Sequence, residues 1–265
     1  MNHPIGIFDS GIGGLTVAQK IHDLLPDEQI IYFGDTAHFP YGDKSTAAIQ
    51  AYSVKICNVL LNYNCKVIVI ACNSASSAAY ELVKEYVGNR AEVINVIDPV
   101  VNYIADNHSN EEVGIIGTKR TIKSNIYETK LRSKDQGLGI HSLATPLLAP
   151  MIEEGFFNNS VSDKIIEEYL NNSTLDKIQA LVLGCTHYPL IKEQIEDFYD
   201  KRVEVIDSAT IVALSLKELL EQKSLLATEK MSGHHFYVSD YTQSFEQSTQ
   251  IFYKEKIKLE SYKLW

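Results

Sequence analysis

Short apolar runs punctuate the chain, and the sharpest of them end in glycine or a small polar residue. Ile5-Gly6-Ile7-Phe8 and Ile30-Ile31-Tyr32-Phe33 open the series, and Val67 to Ala71 and Val93 to Ile97 continue it. Val113 to Ile116, Gly139 to Ser142, Ala180 to Leu183 and Val203 to Ile206 follow. Runs of this kind, without apolar–polar alternation, read as strands covered on both faces, the mark of parallel sheets. Between them, residues 14–24, 45–62, 75–87, 119–133, 161–171, 189–199 and 209–223 carry helical spacing. The alternation predicts an α/β fold with mainly parallel sheets flanked by helices. Beyond residue 223 the rhythm changes: His235 to Val238 predicts a final strand and Tyr241 to Tyr253 a helix.

Two stretches repeat in the same order. Ile5-Gly6-Ile7-Phe8-Asp9-Ser10 is echoed by Val113-Gly114-Ile115-Ile116-Gly117-Thr118, and Val67 to Cys72 by Ala180 to Cys185. The paired echoes predict two similar lobes, with a cleft where the carboxyl ends of their strands meet, the usual ligand site of open α/β sheets. Residues 1–97 form the first lobe in this reading and 98–206 the second. Asp98-Pro99 marks the crossover, because proline biases the residue before it toward extended geometry, and Ile206-Asp207 marks the return.

Cys72 and Cys185 are the most informative residues. Each closes an apolar strand, and each is followed by polar residues, Asn73-Ser74 and Thr186-His187. Two thiols presented alike from two lobes suggest an acid and a base working on opposite faces of one carbon. With each sulfur about 3–3.5 Å from that carbon, the two would stand about 7 Å apart, far beyond a disulfide's reach. The other two of the four cysteines, Cys57 and Cys65, read as core residues on a helix and before a strand. No CxxC or zinc spacing is present, and reduced thiols are expected.

Around the cysteines lie polar loops. Asp9-Ser10-Gly11-Ile12-Gly13-Gly14 is a tight strand–helix turn, neither a dinucleotide fingerprint nor a Walker loop. Asp9 is either a structural acceptor or a carboxylate that assists a nearby thiol. Gly34-Asp35-Thr36-Ala37-His38-Phe39-Pro40-Tyr41-Gly42 is either a rigid turn or a pocket wall whose amides grip an anion, and Asp35 is placed to cap it. Asn73, Ser74 and Thr186 serve as helix caps, as neutral ligand contacts, or as both. Thr118 and Thr121 offer further hydroxyls. Glu153-Glu154 is either a solvated helix face or a gate to the site, and Asp207 caps a helix or reaches the site.

The 265-residue chain carries 24 basic and 34 acidic residues, a formal charge of −10, which argues against a general nucleic-acid surface. No apolar stretch has the length of a membrane span. No basic–apolar–small N-terminal signal stands out, so the cytoplasm is expected.

Taken together, Asp9 to Val17, Gly34 to Gly42, Ala71-Cys72-Asn73-Ser74-Ala75 and Gly184-Cys185-Thr186-His187-Tyr188-Pro189-Leu190 closely resemble the glutamate racemases of the aspartate/glutamate racemase family. Ser74 stands where threonine is usual. The resemblance implies cofactor-independent interconversion of L- and D-glutamate, supplying D-glutamate for bacterial peptidoglycan. It implies Cys72 and Cys185 as acid/base residues, Cys72 for the D-enantiomer and Cys185 for the L-enantiomer, helped by Asp9, His187 and Glu153. It implies substrate contacts at Ser10, Pro40, Tyr41, Gly42, Asn73, Ser74, Thr118, Thr121 and Thr186, with no metal. It implies that residues 207–265 return to the first lobe, and that the enzyme is a cytoplasmic homodimer without nucleic-acid or membrane partners. The same thiol pair would serve a racemase for aspartate or a related amino acid, and the cleft alone would serve a small-anion binding protein.

Overall fold

All strand pairings described in the computed structural model are parallel. It describes residues 2–231 and 233–264. In chain order the first half runs β1 (Ile5–Asp9), α1 (Leu15–Leu24), β2 (Ile30–Gly34), α2 (Thr46–Asn62), β3 (Val67–Ile70), α3 (Asn73–Val87), β4 (Glu92–Asn95), α4 (Asp98–Asn107), β5 (Glu112–Gly117), α5 (Lys119–Lys123) and α6 (Ile126–Lys134). There follow β6 (Gly139–Ala144), α7 (Leu148–Glu153), α8 (Ser160–Leu170), β7 (Ala180–Gly184), α9 (Lys192–Phe198), β8 (Glu204–Ile206), α10 (Ser208–Gln222), β9 (His235–Val238), α11 (Gln243–Phe252) and β10 (Leu259–Ser261). One sheet has the order β10-β9-β2-β1-β3-β4 and the other β6-β5-β7-β8.

Strand periodicity explains how the two sheets share a core. Successive side chains on a strand point to opposite faces. Ile5 and Ile7 of β1, Tyr32 of β2 and Val67 and Val69 of β3 enter the same apolar cluster as Leu181 and Leu183 of β7. The alternate residues Phe8, Phe33, Ile68 and Ile70 pack on the outer layer of the first sheet with α2 and α3. Val113, Ile115, Ala180 and Val182 do the same for the second sheet, beneath α4 and α6. Because both faces are covered, the strands need no alternation, and β1, β2, β3 and β7 are buried throughout.

Three features depart from the sequence reading. Asp98-Pro99 is the first turn of α4 rather than an extended crossover; proline fits there because its missing N–H has no helical partner to lose. The helix expected over 119–133 is two helices, parted where Asn125 adopts the left-handed conformation (φ 53°). Residues 189–191 belong to a 3₁₀ turn that leads into α9.

The last strands complete the first sheet: β9 pairs with β2, and β10 with β9. A buried ion pair fastens the segment before them. Lys66 Nζ lies 2.6 Å from Glu28 Oε2 and also donates to Leu225 O, while Glu28 Oε1 accepts from the Ala227 amide.

Candidate active site

The carboxyl ends of the two sheets face one another across a small pocket. Cys72 follows β3 and Cys185 follows β7, so the thiols reach the pocket from different sheets. Its lining comprises Asp9, Ser10, Phe39, Pro40, Tyr41, Gly42, Cys72, Asn73, Ser74, Thr118, Ala149, Cys185, Thr186 and His187. The enclosed volume is about 30 Å³, room for very little water. None of the described lining residues is Lys or Arg.

The strand ends match, but the two thiols have different surroundings. Cys72 is the N-cap of the fifteen-residue α3, its sulfur accepting from the Ala75 amide at 3.4 Å. The helix terminus favours a thiolate there. Burial opposes it more strongly, with the Asp9 carboxylate acting in the same direction, and the Cys72 thiol is pushed well above its ordinary value. Its S–H donates to Ser10 Oγ at 3.7 Å. Cys185 instead precedes a 3₁₀ turn, and its sulfur lies 3.6 Å from His187 Nδ1.

His187 is buried between polar and aromatic neighbours. Its Nε2 is hydrogen-bonded to Glu153 Oε2, and its ring packs near Phe39 and edge-on to Phe252, with centroids at 6.0 and 5.5 Å. Burial alone would drive the imidazole toward neutrality. The negative charge of Glu153, together with its hydrogen bond and that of Cys185, reverses this and holds His187 well above the ordinary histidine value. Gly13 is required by this packing, since a Cβ there would overlap the imidazole ring.

The first strand–helix turn supplies the other carboxylate. Asp9 Oδ2 accepts from the Gly14 amide at 2.8 Å and from Gly11 at 3.4 Å, so Asp9 is a structural acceptor that also stands in the pocket wall. Burial raises its carboxyl above the usual range, moderated by the His187 charge and the Gly14 amide. On the second loop, Asp35 is fully buried and does not cap the turn that follows it. Its carboxylate instead accepts from Tyr41 at 2.6 Å, from Ser239 at 2.7 Å and from the His38 ring at 2.9 Å. The loop is thus tied to the segment after β9, and Tyr41 keeps its hydroxyl turned toward Asp35.

From the second lobe, Thr118 caps α5 and shares a hydrogen bond with Ser74 Oγ at 2.9 Å. Thr16 Oγ1 donates to Thr186 O at 2.9 Å, a further link across the lobes. Asp207 caps α10 through the Ala209 amide.

Known proteins share this double sheet. The Asp/Glu/hydantoin racemase family model matches residues 5–216. Glutamate racemase of Chlorobaculum parvum is 40% identical over 94% of this chain and 92% of its own length. The crystal structure of glutamate racemase from Francisella tularensis in complex with D-glutamate superposes with a TM-score of 0.93 at 40% identity, covering 99% of this chain and 98% of that one. The chain belongs to the Asp/Glu/hydantoin racemase family. Picrophilus torridus aspartate racemase, at 18% identity and a TM-score of 0.60 over 86% of this chain and all of that one, shares the fold.

For a member of this racemase family, the structure places the expected residues as follows. Cys72, Cys185, Asp9, His187, Ser10, Pro40, Tyr41, Gly42, Asn73, Ser74, Thr118 and Thr186 all line the pocket. Glu153 and Thr121 do not line it. Glu153 stands behind His187, and Thr121 Oγ1 lies 3.1 Å from Thr118 Oγ1. Glu153 is buried while its neighbour Glu154 is exposed, so the pair is not a solvated face. Phe39 and Ala149 line the pocket without having been expected there, although Phe39 lies in a loop the sequence marked. Cys57 and Cys65 are buried elsewhere, their thiols pushed up by burial, Cys65 to about 12.

Proposed function

We propose that this protein interconverts L- and D-glutamate without a cofactor, with Cys72 and Cys185 as the paired acid and base. One observation carries the reading: two buried thiols from different sheets line one small pocket, each with its own carboxylate or imidazole partner. In the L-to-D direction, the Cys185 thiolate, facing protonated His187, takes the α-proton and becomes a thiol. The Cys72 thiol, held protonated by burial and Asp9, delivers its proton to the opposite face and becomes a thiolate. Reversal exchanges the two roles. L- and D-glutamate have equal free energy in water, so kcat/KM must be equal in the two directions. The different surroundings of the thiols can therefore divide only kcat from KM.

With no Lys or Arg in the described lining, the substrate's carboxylates fall to neutral donors and amides. The first turn of α3 beside Asn73 and Ser74 offers N–H groups and a positive dipole end. The Tyr41–Gly42 loop, Ser10, Thr118 and Thr186 complete the set, and Thr121 acts through Thr118. Exclusion of water from so small a volume strengthens each of these contacts while the carbanion exists.

We assign residues 1–97 to one lobe, 98–206 to the other and 207–265 to the first lobe again, which agrees with β9 and β10 joining its sheet. The reading includes a cytoplasmic homodimer in a bacterium that spends its D-glutamate on peptidoglycan; no helix among the described residues is long and apolar enough to cross a membrane.

The test uses the purified chain with L-glutamate in D₂O and no added cofactor. Circular dichroism should decay to zero as the α-position gains deuterium. Cys72→Ala and Cys185→Ala should each lose at least about a thousandfold in turnover, while both stay folded. Near-normal racemisation by either variant, or selective inversion of aspartate instead of glutamate, would overturn the assignment.

A further inference from the structure

Asn73 carries a conflict that one residue outside the pocket resolves. It is 2% exposed, and its carboxamide stands at the start of α3 in the pocket wall. Its Oδ1 accepts a 2.7 Å hydrogen bond from the hydroxyl of Tyr127 on α6. Its Nδ2 is equally buried and has no hydrogen-bond partner in the protein. A carboxamide can turn over and exchange these two atoms, and an anionic ligand tolerates only one of the two orientations. The N–H₂ would hold a carboxylate, whereas the carbonyl oxygen would repel it.

We propose that Tyr127 is a positioning residue for the reaction: its hydroxyl locks the Asn73 carboxamide with its N–H₂ toward the substrate carboxylate. The inference rests on the glutamate reading above and adds to it a residue that touches no substrate. Tyr127 is suited to the task. Its ring is buried in the outer core of the second sheet with Val113, Leu131 and Val182, so the phenol is fixed in place. A buried O–H must find an acceptor. Turning the carboxamide over would take Oδ1 from that proton and also aim it at the ligand, so both ends of the amide favour one orientation. Burial, reinforced by the charges of Asp98 and Cys185, keeps the phenol neutral and able to donate across the accessible pH range. Tyr127 belongs to α6, below the second sheet, and Asn73 to α3, beside the first. The amide is therefore set from across the cleft.

The test is a double-mutant cycle with Tyr127→Phe and Asn73→Ala, measured in both directions on glutamate. Tyr127→Phe keeps the ring, and the unpaired Asn73 Oδ1 should lower the melting temperature by only several degrees. It should lower kcat/KM about tenfold, the scale of one lost buried hydrogen bond to a reacting ligand. Asn73→Ala should lose at least as much, and adding Tyr127→Phe to it should change nothing further. An equal loss from Tyr127→Phe in both backgrounds, or wild-type kinetics in Tyr127→Phe, would overturn the proposal. A second readout needs no turnover: the Asn73 side-chain N–H₂ signals in amide NMR spectra should be single and sharp in the wild-type chain and broadened or doubled in Tyr127→Phe. Unchanged signals also overturn it. Failure of the wild-type chain to racemise glutamate would instead strike the reading beneath, and the NMR arm would still decide the role of Tyr127.

Discussion

Replacing Glu153 by Gln removes one charge from a buried chain of groups and keeps its shape. Burial is the largest influence on His187 and favours the neutral ring; the Glu153 charge is the main force against it. Its loss moves the His187 midpoint down. Burial, the largest influence, then meets less opposition and pushes the imidazole toward neutrality. Stability should follow. In the wild-type chain the raised pKa contributes stability that is complete below about pH 6.5 and fades as pH rises through the folded-state pKa. In Glu153→Gln that contribution shrinks, so the variant gains less stability than the wild-type chain as pH falls toward about 6.5 and below. The gap between the two proteins is therefore widest in acid, about 3–5 kcal/mol near pH 5.5, the usual cost of breaking a buried pair. Urea unfolding at about pH 5.5 and pH 9 measures it, and NMR titration of the imidazole gives the midpoint directly. Turnover of L-glutamate at neutral pH should fall with the loss of the imidazolium beside Cys185. An equal stability gap at both pH values, or a wild-type His187 that titrates below its ordinary value, would refute the reasoning.

Two further substitutions test the supporting structure. Gly13→Ala places a methyl group on the His187 ring and should cost about 1–3 kcal/mol in urea unfolding, with a fall in racemisation as the ring is displaced. Glu28→Ala strands the buried Lys66 ammonium and should cost about 3–5 kcal/mol, while kcat stays near normal in the fraction that remains folded, because the pair is far along the strands from the cysteines.

The strands were legible because parallel strands covered on both faces require unbroken apolar runs, and Ile5 to Phe8 or Ala180 to Leu183 leave little else to be. The pocket followed from them, since residues just beyond such strands converge where two sheets face. Short or interrupted elements escaped. Pro99 suggested an extended Asp98, whereas the spacing of Val100, Val101 and Ile104 was the better signal for α4. Pro150 lies within the six-residue α7, and β10 has three residues, too few for a pattern. The two cysteines look alike in sequence because the strand ends are alike. What differs is that an α-helix follows Cys72 and a 3₁₀ turn follows Cys185, and that His187 meets Glu153 from a distant helix. Similarly, Glu153 and Glu154 are the same residue type side by side, and only packing separates the buried one from the exposed one. The grip of Asp35 on Ser239 and that of Tyr127 on Asn73 are tertiary facts with no local trace.

On its outer side β2 pairs with β9, which follows the four-stranded sheet in sequence. As the polypeptide leaves the ribosome, the whole four-stranded sheet emerges before β9 does, while the first sheet still presents an unpaired β2 edge. That edge holds Ile31 and Phe33, the kind of apolar border on which unfinished chains stick to one another. Premature termination near residue 230 would therefore leave both thiols encoded but the Asp35 loop without Ser239, a product more prone to clump than to catalyse.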